Sequence, residues 1–188
     1  MKCRVLFLGY GRDGTSLIGT MEKAGAIIRH TADPVDDFSS YDVVVCFGYR
    51  HIIRLPVLAT AKRPVLNLHI SFLPWNRGAH PNFWSFAERT PAGVTIHEID
   101  EGLDTGPIVF RREVSFDPME KTFRQTQARL VREIEVLFQE NLVALLSGDY
   151  VATPQPLGGS HHRMNQLPST TINWDNDIEA TLAELGYR

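Results

Sequence analysis

Arg4-Val5-Leu6-Phe7-Leu8 and Val43-Val44-Val45-Cys46-Phe47 decide the fold class. Both are nearly continuous apolar runs rather than alternating ones, the pattern of strands in a parallel sheet whose two faces are covered by helices. Similar short runs bounded by turn residues follow at Ala26–Arg29, Val65–Leu68, Val94–Ile99 and Ile108–Phe110. Between Leu8 and Ala26, residues Leu17, Ile18, Met21 and Ala24 recur at helical spacing, and Gly25 stands where a helix stops. That is one βαβ unit, so the chain reads as α/β, a mostly parallel sheet with helices on both faces. The clearest helix is expected to open at Asp117, with Pro118 at its first position and Glu120 completing a capping box, and to run to about Leu146 before Gly148. Its stripe of Phe123, Leu130, Ile134, Leu137, Leu142 and Leu145 should lie on the sheet. After Tyr150 the pattern weakens into Pro, Gly, Ser and Asn. Residues 1–150 are therefore read as the main domain and 151–188 as a tail wrapped on it, closing with a helix over Asp177–Leu185.

Composition narrows the function classes. A chain of 188 residues with 43% hydrophobic and 22% charged residues can bury one good core and is far from a disordered composition. Its two cysteines, Cys3 and Cys46, sit in apolar runs and are read as buried thiols of a reducing, cytoplasmic compartment. No apolar stretch is long enough to span a bilayer, and the N-terminus lacks a signal-peptide pattern, so no membrane association is expected. The net charge of −3, with Lys and Arg scattered, leaves no footprint for nucleic acid. His51, His80, His161 and His162 lack partners at ligand spacing, and no metal is expected.

Gly9, Gly11 and Gly14 spell G-x-G-x-x-G after a strand and before a helix, with Asp33 where a ribose-binding acid would stand. The physics is general: glycines let backbone N–H groups approach an anion. A phosphate-bearing ligand near Gly11 is the stronger reading and NAD(P) the weaker one, because Asp33 belongs to an acidic loop with Asp36 and Asp37.

Chemistry concentrates in the stretch Leu66 to Pro81. Asn67 and His69 are two apart, so in a strand they share a side, and a strand ending there puts them at the edge where open α/β sheets keep ligands. A carboxamide beside an imidazole suits acyl transfer: one steadies an oxyanion, the other moves protons. By itself the pair is also compatible with a turn Asn and a structural histidine. A second block, Gly93 to Val109, changes the balance. Asn67, His69, Ser71, Leu73, Pro74, Arg77 and Gly78, followed by Gly93, Val94, Thr95, His97, Asp104, Gly106, Pro107 and Ile108, resemble the two motif blocks of the N10-formyltetrahydrofolate-dependent formyltransferase family. That family includes glycinamide ribonucleotide transformylase, methionyl-tRNA formyltransferase and the sugar N-formyltransferases.

The resemblance implies a formyltransferase-like fold with a shortened N-terminal part, residues 1–150 forming the catalytic domain. It implies Asn67, His69 and Asp104 as catalytic residues, Asn67 and a protonated His69 holding the oxyanion while Asp104 relays a proton. It further implies reduced folate as co-substrate, held by Gly48, Tyr49, Ile52, Ile53, Asp100 and Leu103, and an amine acceptor near Ser71, Trp75, Arg77 and Gly11. Phe83, Trp84 and Phe86 are read as helix residues packing on the sheet. Ile70 replaces the family's usual Pro and Asn76 its usual Tyr, and the chain stops before the domain with which tRNA-modifying members hold their substrate. The expected acceptor is a nucleotide-linked amino sugar. Glycinamide ribonucleotide, water, or a non-catalytic binding role are the alternatives, and a homodimer stays open.

Overall fold

The computed structural model of the protein describes residues 2–168 and 172–187; the tail's residues 169–171 and 188, like Met1, lie outside the described residues. Six strands form the main sheet: β1 (Arg4–Gly9), β2 (Ile27–Thr31), β3 (Val43–Phe47), β4 (Leu66–His69), β6 (Gly93–Glu98) and β7 (Ile108–Glu113), ordered β2-β1-β3-β4-β6-β7. The first four are mutually parallel, whereas β6 runs antiparallel to β4 and to β7. The continuous apolar runs sit where the sheet is covered twice, since every residue of β3 is buried.

One face packs on α1 (Leu17–Lys23), α4 (Phe123–Glu140) and α5 (Leu142–Ser147), through Phe7, Ile18, Met21, Leu130, Ile134 and Phe138. The other is covered more thinly, by Phe38, Tyr41 and the partly buried Val57 and Leu58, the latter two from the four-residue α2 (Leu55–Leu58). No helix lies between β2 and β3, so a short loop does the covering there.

The long helix differs from expectation at both ends. Glu120 does accept from the Asp117 N–H at 2.8 Å, but the Asp117 carboxylate accepts from the Met119 N–H, also at 2.8 Å, and the pair closes only a turn. The helix starts after Thr122, whose hydroxyl accepts from the Gln125 N–H while the Gln125 side chain accepts from the Thr122 N–H. It ends at Glu140, and Asn141 turns the chain into α5, which stops at the left-handed Gly148.

α3 (Pro81–Ala87) opens at Pro81, but Phe83 and Trp84, expected on the sheet, pack on the tail and on the start of α4. Trp84 stacks on His162 at 4.1 Å, while α6 (Ile178–Glu184) adds Ile178 and Leu182. Tail residues His161–His162 (β8) pair in parallel with Arg77–Gly78 (β5). This small ladder ties the tail to the Arg77 loop. Of the two thiols, Cys46 is buried and Cys3 is only half-buried, at the edge of the sheet where β1 begins.

Candidate active site

Strand register assembles the site's centre. Asn67 and His69 share a side of β4, and the antiparallel β6 sets His97 opposite Asn67 and Thr95 opposite His69. Four polar side chains therefore project from one patch of two adjacent strands, while Leu66, Leu68, Val94 and Ile96 face the opposite core. Thr95 is fully buried and structural: its hydroxyl donates to the Ser71 carbonyl at 2.7 Å and accepts from the Leu73 N–H at 3.1 Å, shaping the chain after β4.

Asp104 arrives from the loop between β6 and β7. Its Oδ1 accepts from Asn67 Nδ2 at 3.2 Å, its Oδ2 accepts from the Gly78 N–H at 2.9 Å, and His69 Nδ1 stands 3.6 Å from Oδ2. The structure thus brings Asn67, His69 and Asp104 into one cluster and adds His97, whose Nε2 lies 3.0 Å from Asn67 Nδ2 and 3.4 Å from Asp104 Oδ1. His97 Nδ1 donates to the Glu98 carbonyl at 2.8 Å. Its place was written in the Thr95-x-His97 spacing, which only strand pairing converts into contact with Asn67.

The cluster is largely buried and charged. Burial pushes the Asp104 carboxyl up, but the adjacent His69 and His97 rings and the Gly78 N–H outweigh it and hold the carboxyl well below the usual range. Burial lowers the His69 pKa, against the pull of Asp104, so the imidazole is poised to be neutral until a developing negative charge favours its proton. The carboxylate is only an acceptor, so the Asn67 amide nitrogen must face Asp104; its two hydrogens point at Asp104 and His97, and its Oδ1 accepts from no described group.

The Asp104 loop is clamped from outside the two motif blocks. Asp104 itself is left-handed, with φ 54°, a conformation Asp tolerates better than most residues. Gln155 of the tail donates to the carbonyls of Asp104 and Gly106 at 2.8 and 2.9 Å while its own Oε1 accepts from Arg77 Nε and Nη2 at 3.0 and 2.8 Å. Gly106 must be glycine, because a Cβ there would meet the Glu98 carbonyl oxygen at 1.9 Å. Gly78 combines φ 86° with a Cβ position 2.3 Å from the His162 carbonyl oxygen, so its N–H reaches Asp104 only without a side chain. Sequence reading missed Gln155, which carries no motif and lies 51 residues from Asp104.

Two cavities meet at the cluster. One, of about 170 Å³, is lined by Tyr49, Ile52, Ile53, Asn67, Asp100, Leu103 and Asp104 among others; the second, of about 350 Å³, includes Gly48, Asn67, His69, Ile70, Gly78 and Leu103. All six residues read from the sequence as the folate wall lie on these walls. Ile52 and Leu103 are 87% and 51% exposed, apolar surface that a flat ligand would cover.

The residues read as acceptor contacts do not line either cavity. Arg77 is engaged by Gln155, the Ser71 hydroxyl donates to the Trp75 carbonyl, and Trp75 is half-buried in that loop. Gly11 lies against His30, and the start of α1 is already served by a carboxylate: Glu135 accepts from the Thr15 hydroxyl at 2.6 Å, the Ser16 N–H at 3.1 Å and the Ser16 hydroxyl at 2.7 Å. A phosphate at this loop would meet that negative charge, which weighs against Gly11 as a phosphate contact. Asp33 likewise bonds within its own loop, to Thr31, and its carbonyl accepts from the Tyr49 hydroxyl. Asn76, in place of the family's Tyr, is left-handed and buried, bonded to Thr90 and Ser160.

The family model described as Formyl transferase matches residues 22–140. The chain belongs to the formyltransferase family. Methionyl-tRNA formyltransferase of Aromatoleum aromaticum is 38% identical over 141 residues, which is 74% of this chain and 44% of that protein. The dTDP-4-amino-4,6-dideoxyglucose formyltransferase of Mycobacterium bovis is 35% identical over 112 residues, 60% of this chain and 47% of that one. The chain therefore spans less than half the length of these curated relatives. The crystal structure of the formyltransferase PseJ from Anoxybacillus kamchatkensis, in complex with UDP-4,6-dideoxy-4-formamido-L-AltNAc and tetrahydrofolate, superposes with a TM-score of 0.86 at 38% identity, covering 95% of this chain and 97% of that one. Among the described residues no helix is long and apolar enough to cross a membrane, and no cluster of three or more His, Cys, Asp or Glu could hold a metal ion.

Proposed function

We infer that the protein transfers the formyl group of N10-formyltetrahydrofolate to the amine of a nucleotide-linked amino sugar. The observation that carries this reading is the meeting of a buried Asn–His–Asp cluster with two cavities at one strand edge, and the near-full-length likeness to a sugar formyltransferase supports the choice of acceptor. Residues 1–150 form the catalytic domain in this reading, with 151–188 as a strap across it.

The bound folate supplies the formyl carbon. Ile52, Ile53 and Leu103 wall the flat pterin, and Asp100 with the backbone of its loop reads its edge. As the acceptor nitrogen bonds to the formyl carbon, charge gathers on the formyl oxygen, and protonated His69 donates to it. Asn67 is the second candidate donor, but both of its N–H groups are engaged in the free site, so it serves the oxyanion only by releasing Asp104 or His97. As the site stands, its Oδ1 is placed to accept from the incoming amine. Asp104 favours the imidazolium and passes the amine's proton, through water, toward the N10 nitrogen as the carbon–N10 bond breaks.

The test is a panel of amines with N10-formyltetrahydrofolate, following folate release and product mass. Formylation of a nucleotide-linked amino sugar, with little turnover of glycinamide ribonucleotide and slow release without amine, is expected. Preference for glycinamide ribonucleotide, or equal release with no amine, overturns the acceptor. Reduced folate should also raise Tm where NAD(H) and NADP(H) do not; the reverse result overturns the donor as well.

A further inference from the structure

His69 stands between two acceptors. Its Nδ1 lies 3.6 Å from Asp104 Oδ2, its Nε2 lies 3.5 Å from the Asn76 carbonyl oxygen, and the side chain is buried. A neutral imidazole carries one N–H, so one of its nitrogens must turn a lone pair toward an oxygen. Only the imidazolium, with two N–H groups, suits both neighbours. The titratable groups facing the ring from the elements packed around it are Asp104 of the β6–β7 loop and His97 of β6, the latter edge-on with ring centroids 6.3 Å apart. Both oxygens favour the protonated ring, against its burial and against His97. At 3.5 Å the Asn76 contact is loose in the free site, and a charged ring would draw it in.

What keeps that carbonyl in place lies 84 residues away. Asn76 is 1% exposed and left-handed, with φ 55°, a conformation Asn accepts better than most residues. Ser160 of the tail grips the loop on both sides of it. Its N–H donates to the Pro74 carbonyl at 3.3 Å and its carbonyl accepts from the Arg77 N–H at 3.0 Å. Its hydroxyl accepts from the Asn76 N–H and donates to Asn76 Oδ1, each at 2.9 Å. The other end of the Asn76 amide donates to the Thr90 hydroxyl at 2.7 Å. Gly159 permits the close approach, since a Cβ there would stand 2.0 Å from the Pro74 carbonyl oxygen. The β5–β8 pairing and the Ser160 backbone already fasten the tail to this loop. The Ser160 hydroxyl adds something different: it fixes the one residue whose carbonyl meets His69.

We propose that Ser160 is a positioning residue for His69: acting through Asn76, it holds a carbonyl oxygen against Nε2 so that, with Asp104 at Nδ1, the ring is kept in place in its protonated form. The kinetic part of this assignment rests on the formyl-transfer reading above, in which protonated His69 donates to the formyl oxygen; the hold on the ring does not.

The experiment follows the His69 titration by NMR of the nitrogen-labelled imidazoles in the full chain, its signal assigned by its loss in His69→Asn, beside steady-state kinetics with N10-formyltetrahydrofolate. Ser160→Ala keeps the backbone ladder and removes only the hydroxyl. It should lower the His69 pKa by about 0.5 or more and kcat by about tenfold, move the kcat–pH profile the same way, and leave folate KM within about twofold. Ser160→Thr, which restores the hydroxyl, should restore both. Thr90→Val frees the other end of the Asn76 amide at nearly constant volume, should shift both readouts in the same direction, and carries the test should Ser160→Ala fail to fold. An unchanged His69 titration in Ser160→Ala and Thr90→Val overturns the proposal, even where kcat falls, because the hydroxyl would then serve the fold alone. A wild type that formylates no amine, with the His69 shift present in the variants, overturns the proposed function and leaves the hold on the imidazole standing.

Discussion

Asn67 and His97 stand on strands, whereas Asp104 stands on a loop, and the two halves of the cluster are held by different means. The strand half is set by β4–β6 pairing, in which a shift of one residue would turn every side chain to the other face. The loop half has no ladder of its own and depends on Gly78, Gly106 and the tail's Gln155. The comparison teaches that the chemistry is divided between a rigid frame and a carboxylate clamped against it by the tail. It can be broken at either half.

The largest effect is expected at the cluster itself. His69→Ala and Asn67→Ala should each lower kcat by about 10²-fold or more, with a smaller change in folate affinity, because each acts mainly in the transition state. A variant that keeps full turnover would be removed from the catalytic set, and steady-state kinetics decides.

The clamp comes next. Gln155→Glu can still accept from Arg77 but cannot donate to the Asp104 and Gly106 carbonyls, so it should lose kcat nearly as heavily as Gln155→Ala, about ten- to hundredfold, while folate KM moves little. Wild-type turnover in Gln155→Glu together with loss in Gln155→Ala would assign the effect to Arg77 instead. As a positioning residue, Gln155 should also shift the pH profile through Asp104.

Acid stability separates the halves further. His69 and Asp104 both have lowered pKa values in the folded chain, against ordinary values of 6.5 and 3.8. On acidification the unfolded chain takes up each proton first, so each contribution is whole above the ordinary value and is lost as pH falls through the lower folded one. Tm should therefore decline below about pH 6.5 and more steeply below about pH 3.8, at about 2–4 °C per kcal/mol lost. His69→Asn should flatten the upper part and also weaken the lower one, because His69 helps hold the Asp104 carboxyl low, and an unchanged profile in that variant would contradict the assignment.

The smallest effect is expected far from the cluster. Glu135→Ala should lower stability by about 1 kcal/mol through the Thr15 and Ser16 donors, and it should leave kcat alone. A loss of acceptor affinity in that variant would return the glycine loop to the substrate site.

The sheet was legible because burial on two faces leaves continuous apolar runs, and strand ends were misjudged by one to three residues, most at β7, which runs on to Glu113. The long helix was placed five residues early because Asp117 with Pro118 and Glu120 spells a helix start just as Thr122 with Gln125 does, and the local pattern does not say which one a helix follows. Sequence determined the strands, the Asn67–His69 pair and the presence of a second motif at Asp104, since these follow from spacing within a few residues. Only the tertiary structure decided that His97 completes the cluster, that Gln155 holds Asp104 and that Glu135 occupies the start of α1. Each of these depends on residues many positions apart, whose meeting is set by strand register and helix packing rather than by local preference.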